Sequence, residues 1–301
     1  MDASNENIGL RGRLLRLQLC AERKLSTEAR KGTEIVMEER KLQLGDVQET
    51  ALIPLSNRAT ETLRKNPRVR DPKAVQVIRD LNIETSKFDK MITHESVIAR
   101  TIMFDNVVKS FIKKYPDAVC LNIGCGLDDR FSRVDNGHIL WYDIDLEDSI
   151  AVRSKIFENT DRRKMLAGNV LETEWHMSIF GTEEMDRRVI VIAEGLFMYF
   201  SKEDNQKILK NIVSLALHGM LAVEMMRPSM MDEKKHDTVK ETNAKFGWGT
   251  TSGHEFEQLE PRMKLVSERS FSEQMMKSTL LSRIIGLVSM KINNRIAIFE
   301  W

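Results

Sequence analysis

The chain predicts an α/β fold built on a doubly wound, mostly parallel sheet, and three observations carry that expectation. From Ala118 onward, short apolar runs of strand length alternate with amphipathic helical stretches, the pattern that lays parallel strands between two helical layers. The first run, 118–123, breaks into Gly124-Cys125-Gly126-Leu127-Asp128, a glycine turn of the kind that joins a strand to a helix beneath a ligand. The second run ends in Tyr142-Asp143-Ile144-Asp145, which puts two acids 19 and 21 residues beyond Gly124. That is the spacing at which an acid takes ribose hydroxyls in open α/β sheets.

Residues 1–115 read as helical, with Pro54, Pro67 and Pro72 dividing them into short helices and Asp71-Pro72 signing a helix start. Residues 1–45 are expected as a peripheral N-terminal extension: Arg11, Arg13, Arg16, Arg23, Lys24, Arg30 and Lys31 are interrupted by Glu22 and Glu28, as on a solvated face. Met37 opens a stretch that reads as a natural start. Residues 46–115 form a helical cap leading into the core, where Val97, Ile98, Ile102, Val108, Phe111 and Ile112 follow a 3.6-residue repeat and lie on the sheet. The core domain takes residues 116–301. Strands are expected at 118–123, 139–144, 164–167, 189–193 and 221–225, with closing strands at 263–266 and 296–299 around a helix near 271–283. Ser201, with Asp204 three residues on, caps a helix whose buried face is Ile208, Ile212 and Leu215. Residues 226–262, with Met226, Phe246 and Trp248, are long enough to form a lid over the carboxyl edge of the sheet.

Composition narrows the function. A net charge of +1 gives no electrostatic case for nucleic acid, and no apolar run approaches the ~18 residues that cross a bilayer. The N-terminus lacks the unbroken apolar core of a secretion signal, since Arg16 and Gln18 interrupt it. Cys20, Cys120 and Cys125 have no metal-ligand spacing and suit a reducing cytoplasm, so the expectation is a cytoplasmic protein with no membrane partner and no metal.

The nucleotide-like ligand is chosen by charge. Where a dinucleotide fingerprint wants a small residue beside a pyrophosphate, this chain has Asp128 and Asp129, and like charges ~4 Å apart cost roughly 4 kcal/mol per pair near a protein surface. S-adenosylmethionine (SAM) carries a sulfonium and an ammonium and no phosphate, so the loop reads as a SAM cradle, with NAD as the alternative. Three further side chains have chemistry of their own. Arg100 offers a planar fork for a carboxylate, or an ion pair with Glu95 or Asp105. Glu194 emerges from the fourth strand where a reacting group would sit, or caps a loop. Tyr199 lines the transfer site or packs the next helix. Of the histidines at 94, 138, 176, 218, 236 and 254, His254 beside Glu255 is the candidate general base.

Three stretches together resemble the leucine carboxyl methyltransferase family: Ala99-Arg100-Thr101 through Asp105, Asn122-Ile123-Gly124-Cys125-Gly126-Leu127-Asp128 with Arg130-Phe131, and Ala193-Glu194-Gly195-Leu196-Phe197-Met198-Tyr199. Glu49-Thr50-Ala51-Leu52 to Arg58-Ala59, with Asp71-Pro72-Lys73-Ala74, resembles its bacterial tetracenomycin-type polyketide branch. The resemblance implies the seven-stranded, Rossmann-like SAM-dependent methyltransferase sheet. It also implies that Arg100 holds the SAM carboxylate, Gly124 backs the methionine portion, Asp145 binds ribose, Asn169 and Val170 flank adenine, and Glu194 closes the pocket. The family usually has Asp where this chain has Asn169. The activity expected is O-methylation of a small acidic or phenolic acceptor, polyketide-type metabolites included; the absence of an evident base tilts it toward a carboxylate. Methylation of a protein C-terminal carboxylate and silent SAM binding are the alternatives.

Overall fold

The computed structural model describes residues 49–179, 187–232, 234 and 245–301, which fall in one compact unit. The extension expected over 1–45, Cys20, Met37, His236 and residues 233 and 235–244 of the expected lid lie outside the described residues. Helix α1 (Glu49–Thr62) carries Pro54 inside it, so this proline does not divide two helices as its sequence suggests; it lines a cavity instead. Helix α2 (Pro72–Asp80) starts as read, with Asp71 Oδ1 accepting the Ala74 N–H at 2.9 Å and proline in the first turn. Helix α3 (Met91–Lys114) buries Val108, Phe111 and Ile112 against the sheet; Val97 and Ile98 are buried outside that cluster, Val97 at a cavity, and Ile102 is only half-buried.

The sheet has seven strands: β1 (Val119–Ile123), β2 (Leu140–Asp145), β3 (Arg163–Ala167), β4 (Val189–Ala193), β5 (Gly219–Met225), β6 (Lys264–Ser270) and β7 (Arg295–Glu300). Their order is β3-β2-β1-β4-β5-β7-β6. The first five pair in parallel, and β7 inserts antiparallel between β5 and β6. Because β1 has β2 on one side and β4 on the other, the winding direction reverses at β1, and a crevice opens at the carboxyl ends of β1 and β4. Alternate residues along the strands feed the two faces. Leu121, Val191 and Val223 pack with helix α6 (Lys202–Ser214), and Cys120, Ile190 and Ala222 pack with α3. Ser201 Oγ accepts the Asp204 N–H at 3.0 Å and caps α6, as expected.

Two boundaries differ from the sequence reading. The helix near 271–283 is two helices, α8 (Phe271–Met275) and α9 (Leu280–Ser289), because Thr279 Oγ1 accepts the Ser282 N–H and starts a new helix. The end of the expected lid is core: α7 (His254–Leu259) and the residues after it bury Phe256, Leu259 and Met263 under the sheet. Among the described residues no helix is long and apolar enough to cross a membrane, and no acid, histidine and cysteine cluster fits a metal ion.

Candidate active site

The cradle begins where β1 ends. Gly124 and Gly126 take φ of +63° and +46°, a left-handed conformation that costs L-residues roughly 1–2 kcal/mol. A Cβ on Gly124 would also stand 2.8 Å from Leu196 Cδ1. The loop is fastened from both sides. The Gly124 N–H donates to the Ile144 carbonyl at 2.8 Å and the Gly126 N–H to Asp145 Oδ2 at 2.8 Å. From helix α5 (Glu147–Ser154), Arg153 donates to the Gly126 and Asp128 carbonyls, both at 2.7 Å, and to Asp143 Oδ2 at 2.6 Å.

That arrangement separates the two acids of β2. Asp145 stands at the cavity, and burial raises its carboxyl above the usual range against the pull of the Gly126 and Leu146 N–H groups. Asp143 is 1% exposed and lines no part of the cavity. Its carboxylate accepts from Arg153, Arg163, Trp141 and Asn122. Burial opposes its ionisation, but Arg153 and Arg163 outweigh that and hold it below the usual carboxylate range. Asp143, expected as a ribose contact beside Asp145, is therefore a brace for the loop.

The cavity holds about 960 Å³, near the upper end of small-molecule sites, and has room for a cofactor with an acceptor. Arg100, Gly124, Gly126, Asp145, Asn169, Val170, Glu194 and Tyr199 all line it. Ala51, Ile53 and Pro54 of α1 form one wall, and Met198, Met226 and Phe246 another. Of the expected lid, Met226 and Phe246 reach the cavity among the described residues. Asn169 is positioned by its side-chain oxygen, which accepts the Leu171 N–H at 3.1 Å.

Paired charges make its floor. Arg100 does not meet Glu95 or Asp105. Its Nε lies 2.8 Å from Glu194 Oε1 and its Nη1 2.9 Å from Glu224 Oε2. Burial disfavours the guanidinium, and the charges of Glu194 and then Glu224 more than restore it. Arg130 joins Glu194 to Asp105 and Asp128, and Arg133 and Arg58 reach Asp128 and Asp71. Asp128 is thus surrounded by arginines that hold it well below the usual range despite burial, and Asp129 pairs with Arg163. The negative charge that the sequence suggests for this loop is paired with arginines in the fold.

Tyr199 stacks on Phe246 with ring centroids 5.5 Å apart and stays 38% exposed on the cavity side. The surroundings of its hydroxyl, burial first and the Glu224 charge next, push the phenol up to about 12. His254, expected as a base, does not line the cavity: it starts α7, is 69% exposed and pairs with Glu257 at 2.6 Å. Glu224 escaped the sequence reading, although an acid interrupting the apolar end of β5 obeys the same logic as Glu194 after β4.

These residues fit SAM. A Cβ at Gly124 would crowd Leu196 at the cavity wall, an arginine and an acid stand side by side for a zwitterionic amino-acid end, and Asp145 waits beside the loop. A family model described as leucine carboxyl methyltransferase matches residues 51–213. The chain is 26% identical over 232 residues to the tetracenomycin polyketide synthesis O-methyltransferase TcmP of Streptomyces glaucescens, spanning 76% of this chain and 84% of that protein. It is 24% identical over 189 residues to the S-adenosyl-L-methionine-dependent methyltransferase dpfgK of Gibberella zeae, spanning 58% and 63%. Its fold matches a Thermobifida fusca YX protein at a TM-score of 0.54, with 11% identity over 81% of this chain and 93% of that one. A DUF574 family protein of Streptomyces avermitilis MA-4680 matches at 0.52, with 12% identity over 81% and 96%. With the family model covering more than half of its 301 residues, the chain belongs to the leucine carboxyl methyltransferase family and is a SAM-dependent methyltransferase.

Proposed function

We propose that the protein methylates an oxygen of a small, largely apolar acceptor, and that this oxygen belongs to a carboxylate. One observation carries the reading: among the described residues, neither histidine nor lysine lines the cavity, and its carboxylates already accept hydrogen bonds from arginines or the backbone. A carboxylate, with a reference pKa near ~4, arrives ionised and needs no base, whereas a phenol near ~10 does. Tyr199, protonated up to about 12, offers a donor to an acceptor oxygen and no base.

The roles follow from position. Bound SAM supplies an electrophilic methyl on a sulfonium. Arg100 and Glu194 hold its amino-acid end, Asp145 its ribose, and Asn169 with Val170 its adenine, while Gly124 and Gly126 let backbone approach the methionine portion. Leu196, Met198, Met226 and Phe246 exclude water around the acceptor, which favours an in-line displacement that neutralises charge. The tetracenomycin relative supports a polyketide-type acceptor and the cavity size supports a small molecule; cytoplasmic location fits the cysteine usage.

A second reading, a neutral hydroxyl acceptor, has support of its own. Two arginines and four carboxylates line the cavity, so an uncharged acceptor meets less repulsion than an anion. Methyl-labelled SAM separates the readings when offered with aromatic carboxylates, matched phenols and a peptide ending in a free carboxylate. Label released from a small product by mild alkali marks an ester and supports the first reading. Alkali-stable label marks an ether and supports the second. Label on the peptide moves the acceptor to a protein tail, and no label with retained SAM binding makes the protein a silent binder.

A further inference from the structure

We infer that Glu224 is a positioning residue for the charged end of the cofactor, acting through Arg100 and through the turn that presents Glu194; the inference rests on the SAM site proposed above. Glu224 is the penultimate residue of β5, 2% exposed, yet it borders the cavity. An isolated carboxylate at that depth would be costly, and this one is fully engaged. Its Oε2 accepts from Arg100 Nη1 at 2.9 Å and from the Gly195 N–H at 2.9 Å, and its Oε1 accepts from Asn294 Nδ2 at 2.8 Å.

Those donors come from three separate parts of the chain. Arg100 is on α3, Gly195 is in the turn leaving β4 and takes φ of +64°, and Asn294 immediately precedes β7. Gly195 follows Glu194, so the bond to its N–H fixes the peptide that aims Glu194. The same carboxylate oxygen fixes the Nη1 edge of Arg100, whose Nε faces Glu194. One side chain therefore sets the separation and orientation of the arginine and the acid that form a zwitterion receptor. A Cβ on Gly195 would lie 3.8 Å from Arg100 Nη1 and 3.9 Å from Glu224 Oε2, which is ordinary contact, so the glycine serves the turn and not the space.

The substitution Glu224→Gln tests the charge with the shape kept. A glutamine oxygen can still accept from Arg100 and Gly195, and its amide can donate to Asn294 if that side chain turns its oxygen inward. Titration of S-adenosylhomocysteine (SAH) into the wild type, Glu224→Gln, Arg100→Ala and the double variant is read beside thermal midpoints and the kinetics of any acceptor that turns over. Loss of one charge-assisted bond predicts about tenfold weaker SAH binding in Glu224→Gln, with KM for SAM raised more than kcat is lowered. In the Arg100→Ala background the same change should matter less than threefold, because the residue through which it acts is gone.

Unchanged SAH affinity in Glu224→Gln, with the wild type binding, overturns the inference and leaves the SAM site standing. An equal loss in both backgrounds also overturns it, since a general structural role has no need of Arg100. If Glu224→Gln does not fold, Glu224→Asp carries the test in both backgrounds: a loss of SAH affinity that largely disappears in Arg100→Ala supports the positioning role, and unchanged affinity or an equal loss in both backgrounds overturns it. A wild type that binds no SAH overturns the cofactor reading and this inference with it.

Discussion

Two clusters of buried arginine and carboxylate flank the glycine loop, and they differ in what their remaining atoms face. Behind the loop, Asp143, Arg153, Arg163 and Asp129 are closed on one another: Arg153 and Asp143 are 0% and 1% exposed at their side chains, and Nη1 and Nη2 of Arg153 also donate to loop carbonyls. Under the cavity, Arg100 and Glu194 keep 16% and 11% of their side chains accessible, although both are ion-paired. Desolvation is incurred in both places, and an ion pair repays it only with good geometry and full hydrogen bonding. The sealed cluster spends its charge on shape, whereas the open one keeps part of its charge available to a ligand. Similar residue types thus divide the work of holding a site from the work of filling it.

The largest effect that would sharpen this contrast is on stability. Arg153→Met should lower unfolding free energy by about 3–5 kcal/mol, measured by urea denaturation, because it takes one of two cations from buried Asp143, leaving Arg163, and frees two loop carbonyls. A loss below about 1 kcal/mol would erase the distinction between the clusters. Arg100→Ala should act oppositely: SAH affinity falls by about 1.5–3 kcal/mol in calorimetry, while the urea midpoint drops less than in Arg153→Met. Gly124→Ala lies between the clusters. Strain of about 1–2 kcal/mol at positive φ should appear as reduced stability, and the approach to Leu196 should weaken SAH binding as well.

A third cluster extends the contrast to protons. Buried His94 faces Asp89 at 2.6 Å and Glu61 at 2.9 Å, with Arg64, Arg68 and Glu95 around them. Burial lowers its affinity for a proton, but the bonds to Asp89 and Glu61 win and raise it above the ordinary value, with Arg64 opposing. A raised folded value means that the stabilisation is fully present below pH ~6.5 and fades as pH rises through the folded value. Wild type minus His94→Gln stability, measured from pH 5 upward, should therefore be largest and flat below pH ~6.5 and shrink as pH rises above it. The smallest effect belongs to His254→Ala, which should leave both thermal midpoint and SAH affinity unchanged, since the side chain of this exposed histidine pairs, among the described residues, with Glu257.

Much of the fold is legible in the sequence. Strand positions follow from apolar runs, and five parallel strands were expected within a few residues of where they lie, because a strand buried on both faces has little choice of residue type. Arg100, Gly124, Asp145 and Glu194 all reach the cavity expected of them. What failed depended on neighbours far away in the chain. Asp143 and Asp145 share a strand face, but two residues of rise, about 6.6 Å, carry one beneath the loop and the other to its mouth. His254 lost its expected role because α7 packs its Phe256 into the core and leaves the histidine on the outer surface. The acids at 128 and 129 read as free charge because two of their arginines, Arg58 and Arg163, are distant in the chain, and nothing in the spacing shows that Arg130 and Arg133 turn back onto Asp128.

The clamp of Arg153 on the Gly126 and Asp128 carbonyls reaches beyond stability, into binding. A loop fastened this way in the free protein has little conformational freedom left to surrender on association, so the cost of ordering that normally taxes a glycine-rich segment falls away. Ordering of the loop is built into the free protein by these bonds, so a ligand meeting this end of the cavity does not have to supply it.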